Sequence, residues 1–382
     1  MRDSEARKFG GSKLVAGGVA FALLTVGIFW YQFHRMKAGA ATPHLAELRW
    51  RYLVLILLLL PVETIAAGVR MWLVCRTLQP GVRLWTCIKA EWANVAISIL
   101  TPSQSGGGPG QIYILNRAGA SVGTALTISL LSFVGTMVGL LGIGLYSLLV
   151  SGIGDMGPLV VVAVWSLTAI SVAMILAAIW PGVFRAVLAA GSRALWRLRG
   201  GRHPLHDWSP PGERPAGSPV DRMDRWTAKL VDIIYTYRDD VSRFLRLGKG
   251  AFAWVCLLSL VFLFSRALLA YLCVRLLGIE ASTLRHIVEI QMALIFLIFF
   301  APTPGGAGVA EGASLSIMAE IVPMGFAPYY NLLWRFSTAY LAALAGLFCL
   351  LRALLEDARK VIGRRRQPEP GGTYHERFGL SD

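Results

Sequence analysis

Charge is scarce in this chain. Asp, Glu, Lys and Arg supply 15% of its 382 residues, hydrophobic residues supply 55%, and the mean hydropathy is +0.58. Soluble domains carry about 25% charge, so an ordinary water-soluble fold is excluded. Acidic residues are scarcer than basic ones, 22 against 37, which leaves a formal charge of +15. That surplus does not argue for a nucleic-acid partner. The basic residues gather mainly outside the long apolar runs, where they set orientation and meet anionic lipid headgroups. Cysteine is sparse too. Cys75, Cys87, Cys256, Cys273 and Cys349 lie in or beside apolar stretches without CxxC or Cys/His spacing, so they read as packing residues, and no metal or other cofactor is expected. HExxH and Asp-rich metal motifs are also missing, and no Ser/His pairing suggests a nucleophile. The enzymatic reading that survives is an intramembrane transferase using Glu91, Glu289 or Glu311.

Long apolar runs dominate what is present: 14–31, 52–75, 122–150, 159–180, 251–277 and 332–354. Each approaches or exceeds the ~20 residues that a helix needs to cross a bilayer. The first follows Arg2, Arg7, Lys8 and Lys13 and precedes Ala38-Gly39-Ala40, which imitates a secretory signal. Its length, and the crowding of the cleavage region by Phe33, His34, Arg35 and Lys37, favour an uncleaved span. Basic residues place the N-terminus, the 181–248 loop and the Arg364–Arg366 tail in the cytoplasm, whereas connectors 151–158 and 322–330 contain no Lys or Arg and suit the outer face. The connector carrying Arg35, Lys37 and Arg49 dissents.

Two further apolar segments are interrupted. "TPSQSGGGPGQ" breaks the first after residue 100, and "APTPGGAGVAEG" breaks the second after residue 300. If either segment crossed the membrane once, an arginine cluster would fall outside. Segments that enter and return on one side restore the parity. The expected fold is therefore an all-α membrane protein with about six transmembrane helices and two opposed re-entrant hairpins in an inverted repeat, 52–150 and 251–354, within a 1–354 membrane domain. The residues expected to form the breaks are Pro102, Gly106, Gly107 and Pro109 in the first, and Pro302, Pro304, Gly305, Gly306 and Gly308 in the second. Paired Gly/Pro-broken segments in inverted halves point to a substrate path near the midplane. A Walker loop is a poor alternative, because Gln111-Ile112 stands where Lys and Ser/Thr are required. Tight packing is the stronger rival for the glycines, as for Gly135-x-x-x-Gly139.

"ILTPSQSGGGPGQIYILNRAG", together with "FFAPTPGGAGVAEGA" and "LLWRF", resembles the transmembrane region of the lysylphosphatidylglycerol synthetase/flippase family. The likeness covers roughly 14–354, and Pro302 to Glu311 is its most specific element. It implies a domain that moves aminoacylated phospholipids between leaflets. Bifunctional members add a cytosolic aminoacyl-transferase domain, which the 355–382 tail is expected to be too short to hold. Relatives often read Gly-Gly-Glu-Pro or Gly-Gly-Gln-Pro where this chain has Gly107-Gly108-Pro109, a departure at a potential headgroup contact.

Buried ionisable groups cost several kcal/mol and need a partner or an aqueous cavity. Glu311 and Arg335 match family positions and lead the expected substrate-binding set, with Arg70, Glu91 and Arg266. Glu63, Lys89 and Glu289 are further charged candidates. Guanidinium suits phosphate, while Glu311 could receive an ammonium or hold Arg335. Arg70 and Arg266 could instead snorkel to an interface. Thr101, Gln104, Gln111 and Thr303 could add neutral hydrogen bonds or cap their own helices. Helix starts after Gly110 and Gly306 could hold an anion. The expected partners are membrane lipids: an anionic or aminoacylated phospholipid, or a polyprenyl-linked lipid. A lipid-synthesising enzyme is a further possible partner, and an assembly subunit of one is the alternative function. The location expected is the cell (inner) membrane, with both termini cytoplasmic. Within the 181–248 loop, 200–220 is rich in Pro and Gly. Met223, Trp226, Leu230, Ile233, Ile234, Tyr237, Val241 and Phe244 then fall near helical spacing, predicting an amphipathic helix.

Overall fold

The apolar runs become helices. The structure is a computed structural model, and it describes residues 19, 22–34, 48–101, 106–151, 158–179, 225–280, 283–300, 303 and 306–366. Among these there is helix and no strand. Helix α1 covers 22–34. It is followed by α2 (Trp50–Leu78), α3 (Leu84–Leu100), α4 (Gly107–Arg117), α5 (Val122–Ser151) and α6 (Pro158–Ile179). Then come α7 (Arg225–Leu247), α8 (Lys249–Leu276), α9 (Leu284–Phe300), α10 (Val309–Ile317), α11 (Ala327–Arg335) and α12 (Leu341–Arg366). Pro102, Gln104, Pro302, Pro304, Gly305 and the 200–220 stretch lie outside the described residues, as does the tail beyond Arg366.

Four of the described helices are long and apolar enough to cross a bilayer: Trp50–Leu78, Val122–Ile143, Lys249–Leu276 and Ala327–Lys360. Their outward faces are greasy, with Leu57, Leu58, Trp254, Leu344 and Phe348 all exposed. A π turn, Phe336–Tyr340, joins α11 to α12, so the last helical run begins at Ala327, earlier than the apolar run at 332 predicts. Pro328 lies in its first turn, where proline's missing N–H and fixed φ are tolerated. The run also extends past 354 to Arg366, because Arg352 pairs with Glu356 one turn on, at 3.1 Å, and Arg117 reaches Glu356 and Asp357 at 3.1 Å.

Small residues set the helix approaches. On α5, a Cβ at Gly135 would lie 2.6 Å from Val255 Cγ1, and one at Gly139 would lie 2.9 Å from Leu263 Cδ1. The Gly135-x-x-x-Gly139 pair therefore seats α5 against α8. A Cβ on Gly346 of α12 would run into the Trp92 carbonyl of α3. Helix α7 presents Tyr237, Val241 and Phe244 as its buried face. Thr236 beside them abuts Gly123 of α5, so the amphipathic helix docks on the bundle.

Two hydrophobic clusters mark the ends of the bundle. One gathers the C-terminal end of α2 (Val74, Leu78), the N-terminal end of α3 (Cys87), Leu115 of α4, Ala125 of α5, Phe244, Val255 and Leu350. The other gathers Ile56 of α2, the C-terminal end of α8 (Cys273, Leu277), Ile287 of α9, Met318 and Tyr330. Arg49 closes this second end, its N–H donating to Leu276 O at 3.0 Å and its guanidinium lying 2.5 Å from Glu280. The α3–α4 unit thus has its base in the first cluster, and the α9–α10 unit has its base in the second.

Candidate functional site

The first interruption is narrower than the sequence suggests. Helix α4 restarts at Gly107, so Gly107 and Pro109 belong to its first turn, where N–H groups lack helical partners in any case. Thr101 closes the break from the other side. Its hydroxyl donates to Ile97 O at 3.0 Å and accepts from the Gly106 N–H at 2.9 Å, a capping role at both helix ends. Added Cβ atoms at Gly106, Gly107 and Gly110 would strike Thr101, Asn94 and the Ala93 carbonyl respectively, whereas at Gly108 nothing lies within 4 Å. The first three glycines let α4 lie flat on α3. Only Gly108 faces open space.

Across that contact, Gln111 of α4 donates to Glu91 Oε2 of α3 at 3.2 Å, and Arg70 of α2 meets Glu91 Oε1 at 3.1 Å. Arg70 also donates to Thr136 Oγ1 of α5 at 2.5 Å and to Ser259 Oγ of α8 at 3.4 Å. Both Arg70 and Glu91 are buried. The snorkelling alternative for Arg70 does not hold: its charge is spent on holding four helices together.

The second interruption depends on glycine. Gly306 and Gly308 have φ of 68° and 86°, a left-handed region that a side chain resists. Gly308 caps α10, and its N–H donates to Glu311 Oε2 at 2.7 Å. The other carboxylate oxygen of Glu311 lies 3.0 Å from Arg335 Nε, with the carboxylate side chain 0% and the arginine side chain 5% exposed. In this arrangement Glu311 is paired with Arg335. Asn331 Nδ2 donates to the Glu311 carbonyl at 3.4 Å, and Tyr340 offers its ring 5.5 Å from the Arg335 guanidinium carbon. Thr303 has a buried hydroxyl without a hydrogen-bond partner among the described residues.

A third pair joins the two halves. Arg266 Nε of α8 lies 2.7 Å from Glu63 Oε1 of α2, and Nη2 donates to the Thr338 carbonyl of the π turn at 2.9 Å. A π turn disturbs the regular i→i+4 ladder, which leaves carbonyl oxygens for such donors. Arg266 is the most open of the three arginines, its side chain 32% exposed. Glu289, by contrast, pairs with Arg285 one turn earlier on its own helix at 3.3 Å and joins none of these contacts. Lys89 stacks near Trp85, 5.8 Å from its ring centroid.

Buried ion pairs stabilise a fold weakly, because desolvation offsets most of the Coulomb gain. Two buried pairs and a third, partly open one inside apolar helices define an all-helical, multi-pass membrane protein with charge built into its interior. The family model described as Lysylphosphatidylglycerol synthase TM region matches residues 15–346. The chain belongs to that family. No curated protein sequence matches it. Sequence reasoning picked out each charged member of these pairs but missed Thr136, Ser259, Phe262, Asn331, Thr338 and Tyr340. Their one sequence signal is helical spacing, as in Asn331-x-x-x-Arg335.

Proposed function

We propose that the chain moves a phospholipid, or a lipid-linked headgroup, between the leaflets of the cell (inner) membrane. The headgroup follows a polar route between two hairpins that re-enter the bilayer from opposite faces, while the acyl chains stay in lipid. The observation that carries this reading is the pairing of each interrupted hairpin with a buried arginine on a long helix: Glu91 with Arg70, Glu311 with Arg335. Supporting it, the second limbs α4 and α10 have 11 and 9 residues, far short of the ~20 needed to cross. Their bases also belong to opposite hydrophobic clusters. Interrupted helices at this depth persist where protein or water satisfies their backbone, and opposed repeats that rock around a midplane site give alternating access.

In this reading six helices cross the membrane, both termini are cytoplasmic, Arg266, the open arginine, meets phosphate, and Thr101, Gln104, Gln111 and Thr303 are further neutral contacts along the route. The Glu91–Arg70 and Glu311–Arg335 pairs hold the hairpins and open as the repeats rock. The family ties the substrate to membrane lipid, with an anionic or aminoacylated phospholipid or a polyprenyl-linked lipid as the candidates. Protein purified into liposomes should accelerate transfer of labelled phosphatidylglycerol, its aminoacylated derivative or a polyprenyl phosphate between leaflets, with no new covalent product. No acceleration by folded, correctly inserted protein would overturn the proposal in favour of an assembly subunit of a lipid-synthesising enzyme. A new lipid species on thin-layer separation would point to a transferase.

A further inference from the structure

Two of the three paired arginines lean on one ring. The guanidinium carbon of Arg70 lies 5.1 Å from the centroid of Phe262, and that of Arg266 lies 5.0 Å from it. A ring attracts each cation through its quadrupole, yet the two cations repel each other. Each is balanced by its own carboxylate, Glu91 at 3.1 Å and Glu63 at 2.7 Å. From Arg70 the contacts run through Glu91 and Gln111 into the first hairpin. From Arg266 they run to the Thr338 carbonyl in the π turn that Arg335 precedes, and so to Glu311 and the Gly308 N–H at the second break. Among the described residues, Phe262 is the ring that both arginines face.

We propose that Phe262 is a positioning residue that couples the two hairpins: a change of charge balance at Arg266 passes through its ring to Arg70 and moves the first break. This rests on the rocking of two halves proposed above and supplies the contact through which one half senses the other. If Glu63 loses its charge, Arg266 has no counter-charge and shifts its attraction onto the ring. Arg70 is then repelled and gives way together with Glu91, loosening α3 and α4. An aliphatic side chain at 262 fills similar space but has no quadrupole, so it breaks the coupling without breaking the packing.

The test reads the first break directly. A single cysteine is placed at Gly108, where an added Cβ meets nothing within 4 Å, in a chain without its native cysteines, and its maleimide labelling rate is measured in membranes. With Phe262 present, Glu63→Gln should change that rate about threefold to tenfold, the range that a partly desolvated cation–ring contact allows. Phe262→Trp should preserve the response. Phe262→Leu and Phe262→Met should each reduce it to less than about twofold, and the pair guards against one of them failing to fold. An undiminished response in the aliphatic variants, or none with Phe262, overturns the proposal. Because no lipid movement is needed for this readout, a silent liposome assay would not by itself decide it.

Discussion

Arg335 offers the sharpest perturbation, because its partner Glu311 is the least exposed carboxylate among the described residues. In Arg335→Ala, Glu311 keeps the Gly308 N–H at 2.7 Å but loses the guanidinium at 3.0 Å. Breaking a buried pair from one side costs about 3–5 kcal/mol, since the remaining charge stays buried and uncompensated. At 1.36 kcal/mol per decade, that raises the population with an opened α10 by roughly two to more than three powers of ten. Ser314, one turn beyond Glu311 on the same face and 1% exposed, provides the reporter. Ser314→Cys, in a chain without native cysteines, should label slowly in the parent and at least about a hundredfold faster with Arg335→Ala. The double change Glu311→Gln with Arg335→Met removes both charges, so it should return most of the way to the parental rate. Arg335→Ala accelerating labelling by less than about fivefold would show that the pair does not hold the hairpin. A double variant labelling as fast as Arg335→Ala would show that lost packing, not stranded charge, is responsible.

Side-specific labelling checks the orientation: single cysteines replacing Arg117 and Pro328 should react from opposite faces of the membrane, and reaction from one face would overturn the opposed hairpins. Gly346→Leu should abolish monodisperse elution from detergent, because its side chain meets the Trp92 backbone and not a movable tip, and overpacking of this kind costs about 1–3 kcal/mol or more; parental elution and melting would refute the close crossing of α12 and α3. At the other end, Arg49 hydrogen-bonds Glu280 and holds its carboxyl below the ordinary carboxylate range. A group with a lowered folded pKa stabilises above its unfolded pKa and loses that contribution as pH falls through the folded one. The thermal stability of the parent should therefore exceed that of Glu280→Gln near neutrality and converge with it on acidification. A gap independent of pH would rule out the ionic tie.

Much of this arrangement was legible in the residues alone. Apolar run length marked the long helices, and the Thr-Pro and glycine clusters marked both interruptions, because hydrophobic length and backbone restriction are properties of short segments. The roles of individual glycines were not legible. Gly106, Gly107 and Gly110 serve packing on α3, Gly108 faces open space, and Gly306 and Gly308 serve a left-handed backbone; composition cannot tell these apart. Pairings were hidden for a related reason. Arg70 and Arg266 stand on the long helices α2 and α8, yet one finds Glu91 on α3 and the other finds Glu63 on α2. Sequence names the charged residues within apolar segments, and only the packing of the helices decides who meets whom.

That difference between the halves bears on how the two hairpins work together. Gln111 and Glu311 both sit near the start of the short second limb, so an inverted repeat makes them counterparts. One is neutral and the other is charged. The second half therefore carries its negative charge on the limb that leads away from the break, tied to the helix that follows. The first half carries it on Glu91 of the approaching limb, tied to the helix that precedes, and Gln111 only donates to it. In the proposed transport, a headgroup displacing Gln111 from Glu91 would replace an amide donor, and one displacing Arg335 from Glu311 would have to replace a full charge. In that reading, taking the place of Arg335 is the costlier exchange for a neutral ligand, and a cationic group is the chemistry that would offset it. An anionic group gains more at Arg266, whose carboxylate partner leaves the guanidinium partly open. Each interruption thus keeps a carboxylate beside a buried arginine, on the approaching limb in the first half and on the returning limb in the second, and in the proposed transport a headgroup bearing both signs of charge would find its counter-charges there.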